Sequence, residues 1–254
     1  MIREWKTPAG EYPRIFGDML KQVHLLIAGA SGSGKSTVVN GIMRAALYQS
    51  PATVRFILID PKGTELSEYE RLPHVIQYAQ TMPDCIAALK NALQLARVRF
   101  ADMKKRGLRE YNGSHVYVII DELMFLMNRP QYKRDAMNLL QDILVISRAA
   151  RVHVIACTQS PTAATGLPVN LRCNFDSRLG LRTSTAQDSR NIIGVKGCEQ
   201  FPNPTLTGKA YGYYMHGGEM DLYLLPADNA GDRHQLIEYW TGPQGRGRLK
   251  LFGR

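Results

Sequence analysis

The stretch HLLIAGASGSGKS (24–36) joins a short, largely apolar run to a loop rich in glycine and serine. Its second part fits the pattern G-x-x-x-x-G-K-[ST], with Gly29, Gly34, Lys35 and Ser36 in the defining positions. Glycine permits backbone angles at which successive N–H groups point inward toward a phosphate. The stretch therefore predicts a nucleotide-binding loop. The predicted nucleotide-binding residues are Gly29, Ala30, Ser31, Gly32, Ser33, Gly34, Lys35, Ser36 and Thr37.

The residue types in this loop also indicate what each side chain does. Lys35 is expected to reach the β- and γ-phosphates, and the Ser36 hydroxyl is expected to ligate Mg²⁺. A helix that starts here adds the positive end of its dipole. The alternative is a glycine-rich turn without a ligand, which the preceding apolar run and the following helical pattern disfavour.

Composition limits the class of protein. The chain has 254 residues, of which 44% are apolar, enough for one large α/β domain or two small ones. No apolar run approaches the roughly 20 residues of a membrane span, and the first residues lack the apolar core of a signal peptide. The four cysteines are far apart and the six histidines lack metal-ligand spacing. We therefore expect a reduced, cytoplasmic compartment and no structural metal.

The charge balance favours a polyanionic partner. Lysine and arginine total 32 against 22 acidic residues, which gives a net charge of +10. Such an excess is typical of proteins that bind nucleic acid or an acidic membrane surface. The alternative is a basic surface that only keeps the protein soluble.

Apolar runs alternate with helical patterns along the chain, which is typical of an α/β fold with a mainly parallel sheet flanked by helices. The fifth strand is less apolar than the others, so we expect it near the sheet edge. The run around His216 predicts a C-terminal β-hairpin. The predicted strands are 23–30, 54–60, 116–121, 152–159 and 174–183, the hairpin is 208–227, and the helices are 36–49, 83–106, 131–150 and 234–240.

Polar residues end the third and fourth predicted strands. Asp121 is placed to hold Mg²⁺ directly or through water, and Glu122 is placed to polarise the attacking water. The alternative is a polar strand end followed by a helix cap. If the fourth strand lies beside the third, Gln159 can hydrogen-bond the γ-phosphate or the water; the alternative is a polar residue that opens a turn.

Five segments of the chain carry a family resemblance. They are GDMLKQVHLLIAGASGSGKS (17–36), FILIDPKGTELSEYERLPHV (56–75), YVIIDE (117–122), SRAARVHVIACTQSP (147–161) and RLGLRTSTAQDSR (178–190). Together they resemble the motor domain of the FtsK/SpoIIIE family of DNA translocases, over nearly the whole chain. The most specific of them is Asp60-Pro61-Lys62 with the residues that follow it. It resembles the DNA-moving members rather than the protein-exporting ATPases of type VII secretion.

The resemblance implies a RecA-like P-loop NTPase fold with ATP and Mg²⁺ as cofactors. It also implies a ring, expected to be a homo-hexamer, which surrounds double-stranded DNA and hydrolyses ATP between subunits to move it. A motor that passes any sequence should grip phosphates rather than base edges. The resemblance divides the chain into an N-terminal extension (1–16), an FtsK-like motor domain (17–241) and a basic flexible tail (242–254).

A ring ATPase needs a cation from the neighbouring subunit, an effect worth about 10³–10⁵ in rate. Arg148, near the end of a predicted helix, is the first candidate, and Arg190 and Arg178 follow. The alternative is that all three are surface or structural arginines. Residues 160–170 and 194–205, the latter with Lys196, are the candidate pore loops. The predicted catalytic residues are thus Lys35, Asp121, Glu122, Gln159 and Arg148, with Ser36 and Asp121 as metal ligands.

Departures from the family pattern narrow the expected process. Ser160 stands where the family often has arginine, and residues 109–115 are shorter than the insertion of larger relatives. We expect this protein to lack the membrane-spanning region, the extra domain before the motor and the winged-helix DNA reader of those relatives. We therefore expect a motor for conjugative transfer of a mobile element, or a viral genome-packaging ATPase, rather than chromosome segregation. Membrane-anchored or mobile-element partner proteins would place it at the inner face of the membrane.

Other functions fit part of the sequence. A protein-secretion motor of the type VII kind keeps the fold and changes the cargo. A nucleotide-gated binding module has less use for Glu122. A small-molecule kinase would need an arginine-rich lid over the phosphates, and no arginine cluster stands out there.

Overall fold

The computed structural model of the chain describes residues 3–4, 14–159 and 168–243. Most of the predicted N-terminal extension, residues 160–167 of the first predicted pore loop, and the tail from 244 onward lie outside the described residues. No statement is made about their structure.

The described strands form one sheet, and most of them are parallel. In chain order they are β1 (Arg3–Glu4), β2 (His24–Ala28), β3 (Val54–Ile59), β4 (Val75–Ala79), β5 (His115–Ile120), β6 (Val152–Thr158), β7 (Ser177–Gly180), β8 (Ala210–His216) and β9 (Glu219–Leu225). Their order across the sheet is β1-β9-β8-β7-β2-β6-β5-β3-β4. Strands β8 and β9 form the predicted hairpin, and β8 runs antiparallel to β7. The predicted α/β class with a mainly parallel sheet is confirmed.

The helices cover both faces of this sheet. They are α1 (Arg14–Leu20), α2 (Lys35–Leu47), α3 (Met82–Arg106), α4 (Leu123–Met127), α5 (Pro130–Ile146), α6 (Val169–Cys173), α7 (Ala186–Ile193), α8 (Pro204–Thr207) and α9 (Ala230–Thr241). Short 3₁₀ turns occupy Ser67–Tyr69 and Cys198–Gln200. Within the described residues, no helix combines the length and apolarity that a bilayer crossing requires.

Alternation along the central strands divides the core into two layers. In β6, Ile155 and Cys157 face the layer that contains α1, α2 and α9. Val154 and Ala156 face the layer that contains α3 and α5. A strand buried on both faces reads as a continuous apolar run, which is why these strands were predictable from the sequence.

Two sequence predictions of elements are wrong in position. The fifth strand, β7, does not lie near the edge: β2 pairs with one side of it and β8 with the other. The helix predicted for 131–150 ends at Ile146, because residues 147–151 turn back into β6. The backbone of Arg151 even adopts a φ of 54°, which a helix does not allow.

Candidate nucleotide site

The glycine-rich loop turns from β2 into α2 and leaves the start of that helix open. Gly34 occupies the N-cap position with a φ of 99°, in the left-handed region that favours glycine. No side chain caps α2, whereas Thr81 caps α3 and Thr185 caps α7. The first N–H groups of a helix have no acceptor within it. An uncapped α2 therefore offers these donors, and the positive end of its dipole, to an anion.

Lys35 is held inside the same loop. Its Nζ donates hydrogen bonds to the carbonyl oxygens of Gly29, at 2.8 Å, and Ala30, at 2.9 Å. Burial lowers the pKa of Lys35, and the carboxylates of Glu122 and Asp121 oppose that shift. The Lys35 ammonium is thus partly desolvated, and its hydrogen-bond partners are neutral carbonyl groups. A bound anion such as a phosphate would stabilise this charge.

The topology of the sheet brings three predicted elements of the site together. Strand β6 pairs in parallel with β2 on one side and with β5 on the other. The carboxyl ends of these strands therefore share one edge, where the phosphate loop, Gln159 and Asp121 follow β2, β6 and β5 respectively. Strand β6 thus lies next to β5, as the predicted contact of Gln159 with the γ-phosphate or the water requires.

Glu122 is buried and hydrogen-bonded at this edge. Its Oε2 accepts a hydrogen bond from Gln159 Nε2 at 2.8 Å. Its Oε1 accepts from the backbone N–H of Met124 at 3.3 Å, so Glu122 also caps α4. The helix cap that was the alternative to a catalytic role is thus present as well, on one of the two oxygens.

A cleft of about 440 Å³ opens over these residues. Small-molecule sites typically enclose about 300–1,000 Å³. Of the predicted nucleotide-binding residues, Gly29, Ala30 and Ser33 do not line the cleft. The cleft is lined by Ser31, Gly32, Gly34, Lys35, Ser36, Thr37, Asp121, Glu122 and Gln159, and by Lys62, Glu65, Pro204 and Thr205, which the sequence analysis did not place in the nucleotide site.

The electrostatics of Asp121 fit a divalent cation. Burial, together with the nearby carboxylates of Asp60 and Glu65, raises the pKa of this carboxyl to about 6, while Lys62 opposes the shift. The hydroxyl-bearing Ser36 lines the same cleft. Carboxylate and hydroxyl oxygens are ligands that suit Mg²⁺. The residues present therefore fit the predicted Mg²⁺–nucleotide complex.

Asp60 organises the loop that brings Lys62 and Glu65 to the cleft. The Asp60 carboxylate is fully buried, with Oδ1 accepting from the N–H of Gly63 at 2.9 Å. Its Oδ2 accepts from the N–H groups of Glu65, at 3.0 Å, and Leu66, at 2.9 Å. The sequence marks Asp60-Pro61-Lys62 as a family feature without assigning a role to Lys62, because nothing local says where the loop points.

One end of the second predicted pore loop reaches the nucleotide cleft, and its contact with DNA stays a prediction. Pro204 and Thr205, at its C-terminal end, line the cleft. A methyl group on Gly32 would come within 3.4 Å of the Thr205 hydroxyl. This end of the segment therefore faces the phosphate loop, whereas Lys196 is exposed elsewhere on it.

Comparison with known proteins agrees with this geometry. The family model described as FtsK/SpoIIIE family matches residues 13–200. The chain belongs to the FtsK/SpoIIIE family. The family and the cleft together indicate an ATPase.

Curated members of the FtsK/SpoIIIE family cover most of the chain. The DNA translocase FtsK of Caldanaerobacter subterraneus subsp. tengcongensis is 35% identical over 202 residues, which is 73% of this chain and 28% of that protein. The DNA translocase FtsK of Agrobacterium fabrum is 30% identical over 257 aligned positions, which cover 84% of this chain and 28% of that protein. The chain thus spans less than a third of the length of these relatives.

Solved structures share the fold of this FtsK/SpoIIIE-family chain. The pCW3 conjugation coupling protein TcpA, in a monomer form with ATPγS, superposes with a TM-score of 0.73 at 20% identity, over 87% of this chain and 66% of that one. The cytoplasmic domain of the type VII secretion ATPase EccC of Thermomonospora curvata superposes with a TM-score of 0.66 at 23% identity, over 81% and 25% of the two chains. At these identities the likeness shows the fold alone.

The candidate trans arginines lie away from the cleft of their own chain. Arg148 is exposed in the turn before β6, not in a helix as predicted, and its charge acts on His24 at the start of β2. It therefore lies at the amino end of the strands. Arg190 is exposed on α7, and Arg178 Nη1 donates to the carbonyl of Ile192 at 3.3 Å. A role in a neighbouring subunit's site stays a prediction for all three.

Proposed function

We propose that this chain is the ATP-hydrolysing motor of a translocase that moves double-stranded DNA. The observation that carries the proposal is the convergence of the uncapped α2, Lys35, Asp121, Glu122 and Gln159 on one cleft. A site that only binds nucleotide has no need of a buried carboxylate beside the position for an attacking water.

The side chains suggest a division of labour in hydrolysis. The α2 N–H groups and Lys35 bind the phosphates, while Ser36 and Asp121 would hold Mg²⁺, which neutralises charge on the phosphate oxygens. Glu122 takes a proton from water as the water oxygen bonds to the γ-phosphorus. The bond from that phosphorus to the bridging oxygen breaks, which yields ADP and inorganic phosphate. Gln159 Nε2 orients the Glu122 carboxylate.

Duplex DNA is the cargo that the comparisons favour. The curated relatives at 30–35% identity are named DNA translocases, and the chain carries a net charge of +10. Phosphate contacts suit a motor that must pass any sequence. A homo-hexameric ring, with an arginine supplied by the neighbouring subunit, completes the proposal.

The likeness to TcpA supports transfer of a mobile element, since that protein is a conjugation coupling protein. The likeness to EccC supports a second candidate, protein secretion on the same fold. We prefer DNA to protein as cargo, because the sequence relatives at 30–35% identity are named DNA translocases, whereas the likeness to EccC is one of fold.

The proposal is tested by ATPase rate with and without linear duplex DNA. We expect DNA to stimulate the wild-type rate, and the stimulation to fall as salt rises, because phosphate contacts release counterions. Glu122→Gln should bind ATP yet lower kcat by about 100-fold or more, the range of general-base contributions. The control Glu219→Gln changes an exposed glutamate on the hairpin and should leave kcat unchanged.

Two results would contradict the proposal separately. A Glu122→Gln enzyme that turns over at the wild-type rate would remove the hydrolytic role of the cleft. An active enzyme that ignores duplex DNA at every salt concentration would remove DNA as cargo and favour the secretion candidate.

A further inference from the structure

Lys62 lies at the boundary between two clefts. It lines the nucleotide cleft, and it also lines an adjoining cleft of about 460 Å³. Glu122 and Gln159 are shared by the two clefts in the same way. The rest of the adjoining cleft comes from α4 and the residues just after it, namely Met124, Phe125, Asn128 and Arg129.

The backbone next to Lys62 is anchored, and the Lys62 side chain is half exposed. The buried Asp60 carboxylate accepts the backbone N–H groups of Gly63 and Leu66, which follow Lys62 in the loop. The Lys62 side chain is 48% exposed. The Lys62 ammonium can therefore change its ion-pair partner while the backbone of the loop stays in place.

Lys62 forms an ion pair with the proposed general base. Its Nζ lies 3.8 Å from Glu122 Oε2, the same oxygen that accepts from Gln159. The other oxygen, Oε1, accepts from the Met124 N–H. A carboxylate oxygen has two lone pairs, and Oε2 has Gln159 on one of them and the Lys62 ammonium near the other, so this oxygen has no open position for a proton from water.

The ion pair is one that a phosphate can replace. An ion pair at 3.8 Å whose lysine is half exposed is weak, because water screens the ammonium and the lysine loses rotamer freedom. A γ-phosphate brings more negative charge than one carboxylate. The Lys62 ammonium is also within electrostatic reach of the phosphate-binding side, because it contributes to the pKa shifts of both Lys35 and Asp121.

We propose that Lys62 senses the γ-phosphate: it pairs with Glu122 in the absence of ATP and moves to the γ-phosphate when ATP binds. The exchange frees Glu122 Oε2 to accept the water proton only when there is a phosphate to attack. Gln159 keeps the carboxylate oriented during the exchange. The inference rests on the proposed hydrolysis of ATP in this cleft, and it adds a residue that couples nucleotide state to the base.

The test compares ADP, which lacks the γ-phosphate, with ATPγS, which carries a thio analogue of it. Calorimetric titrations with Mg²⁺ should show that Lys62→Met binds ADP like the wild type. Its ATPγS affinity should fall about tenfold, which corresponds to about 1.4 kcal/mol. Its kcat should fall as well. Lys62→Arg keeps the charge and should keep most of the preference for ATPγS. Lys133→Met removes an exposed lysine on α5 and should match the wild type in every measurement.

Each other outcome overturns the inference in a recognisable way. A Lys62→Met chain with the wild-type preference for ATPγS over ADP would show that Lys62 does not contact the γ-phosphate. An equal loss of both ligands would show that Lys62 only supports the loop. A wild-type chain that binds neither ligand would refute the proposed function itself, and the inference with it.

Discussion

Asp60 shows how one buried carboxylate positions part of a site without touching the ligand. Asp60 lies near Asp121 and is the second cause, after burial, of the raised pKa of Asp121. This proximity suggests that both carboxylates bind a metal. The hydrogen bonds of Asp60 indicate otherwise, since its two oxygens accept three backbone N–H groups of its own loop. We infer that Asp60 is structural.

This reading predicts the effect of Asp60→Asn. An amide has one acceptor oxygen, and its NH₂ group would face backbone donors, so the free energy of unfolding should fall by about 2 kcal/mol without Mg²⁺. Urea unfolding measures it. Asp142→Asn, at an exposed carboxylate 4.0 Å from Arg97, should change stability by less than about 0.5 kcal/mol. A metal ligand would behave in the opposite way, because its neutralisation would relieve repulsion with Asp121 and stabilise the metal-free chain.

At the residue scale, the sequence predicted the parts of the site that are contiguous. The phosphate loop is a run of eight residues, and Asp121 and Glu122 follow a strand directly, so their chemistry is visible without the fold. Lys62 and Thr205 reach the same cleft from distant positions. Only the strand order brings them there, and no local pattern encodes that order.

At the element scale, the strands buried on both faces and the hairpin were predictable from the sequence, whereas β4 and the position of β7 in the sheet were not. β4 was missed because its residues are mostly half-buried or exposed and it is the last strand of the sheet. β7 was placed near the edge because Ser177 and Arg178 make it polar. The hairpin covers its outer side through β8, and that pairing depends on residues more than 30 positions further along the chain.

The contact between α1 and α2 predicts the outcome of a glycine substitution. A Cβ built on Gly41 would lie 2.2 Å from Cε2 of Phe16, a ring that is fully buried between the two helices. Alanine favours helix over glycine by about 1 kcal/mol, but overpacking typically costs about 1–3 kcal/mol. Gly41→Ala should therefore lower the free energy of unfolding, as measured in urea.

Gly231→Ala is the matched control for this contact. Gly231 also lies in a helix, α9, and the nearest atom to its Cβ would be Asn229 Oδ1 at an ordinary 3.6 Å. Its stability should stay equal to the wild type or rise slightly. Equal behaviour of the two alanine variants would mean that α1 does not pack on α2 through Phe16.

At the scale of the whole molecule, buried histidines couple stability to pH. Burial lowers the pKa of His24 and His74 to about 4 and that of His153 to about 3. All three are therefore neutral in the folded chain near pH 6, while the unfolded chain begins to protonate them below about 6.5. The unfolded state then binds more protons than the folded state, so stability falls as the pH drops from about 6.5 toward 4.

His74 offers the cleanest measurement of this coupling. Its Nε2 donates to the carbonyl of Gln49 at 2.9 Å, its Nδ1 has no partner among the described residues, and its ring packs edge-on against Trp240. The nearby Arg55 further disfavours a charged ring.

In His74→Asn, the loss of unfolding free energy between pH 6.5 and 4 should shrink by up to about 1.4 kcal/mol per pH unit, since one titrating group is gone. Urea unfolding at half-unit pH steps, with each variant referenced to its own value at pH 7.5, separates this slope from any constant cost of the substitution. An unchanged slope in His74→Asn would mean that this ring accepts a proton as readily in the fold as in water.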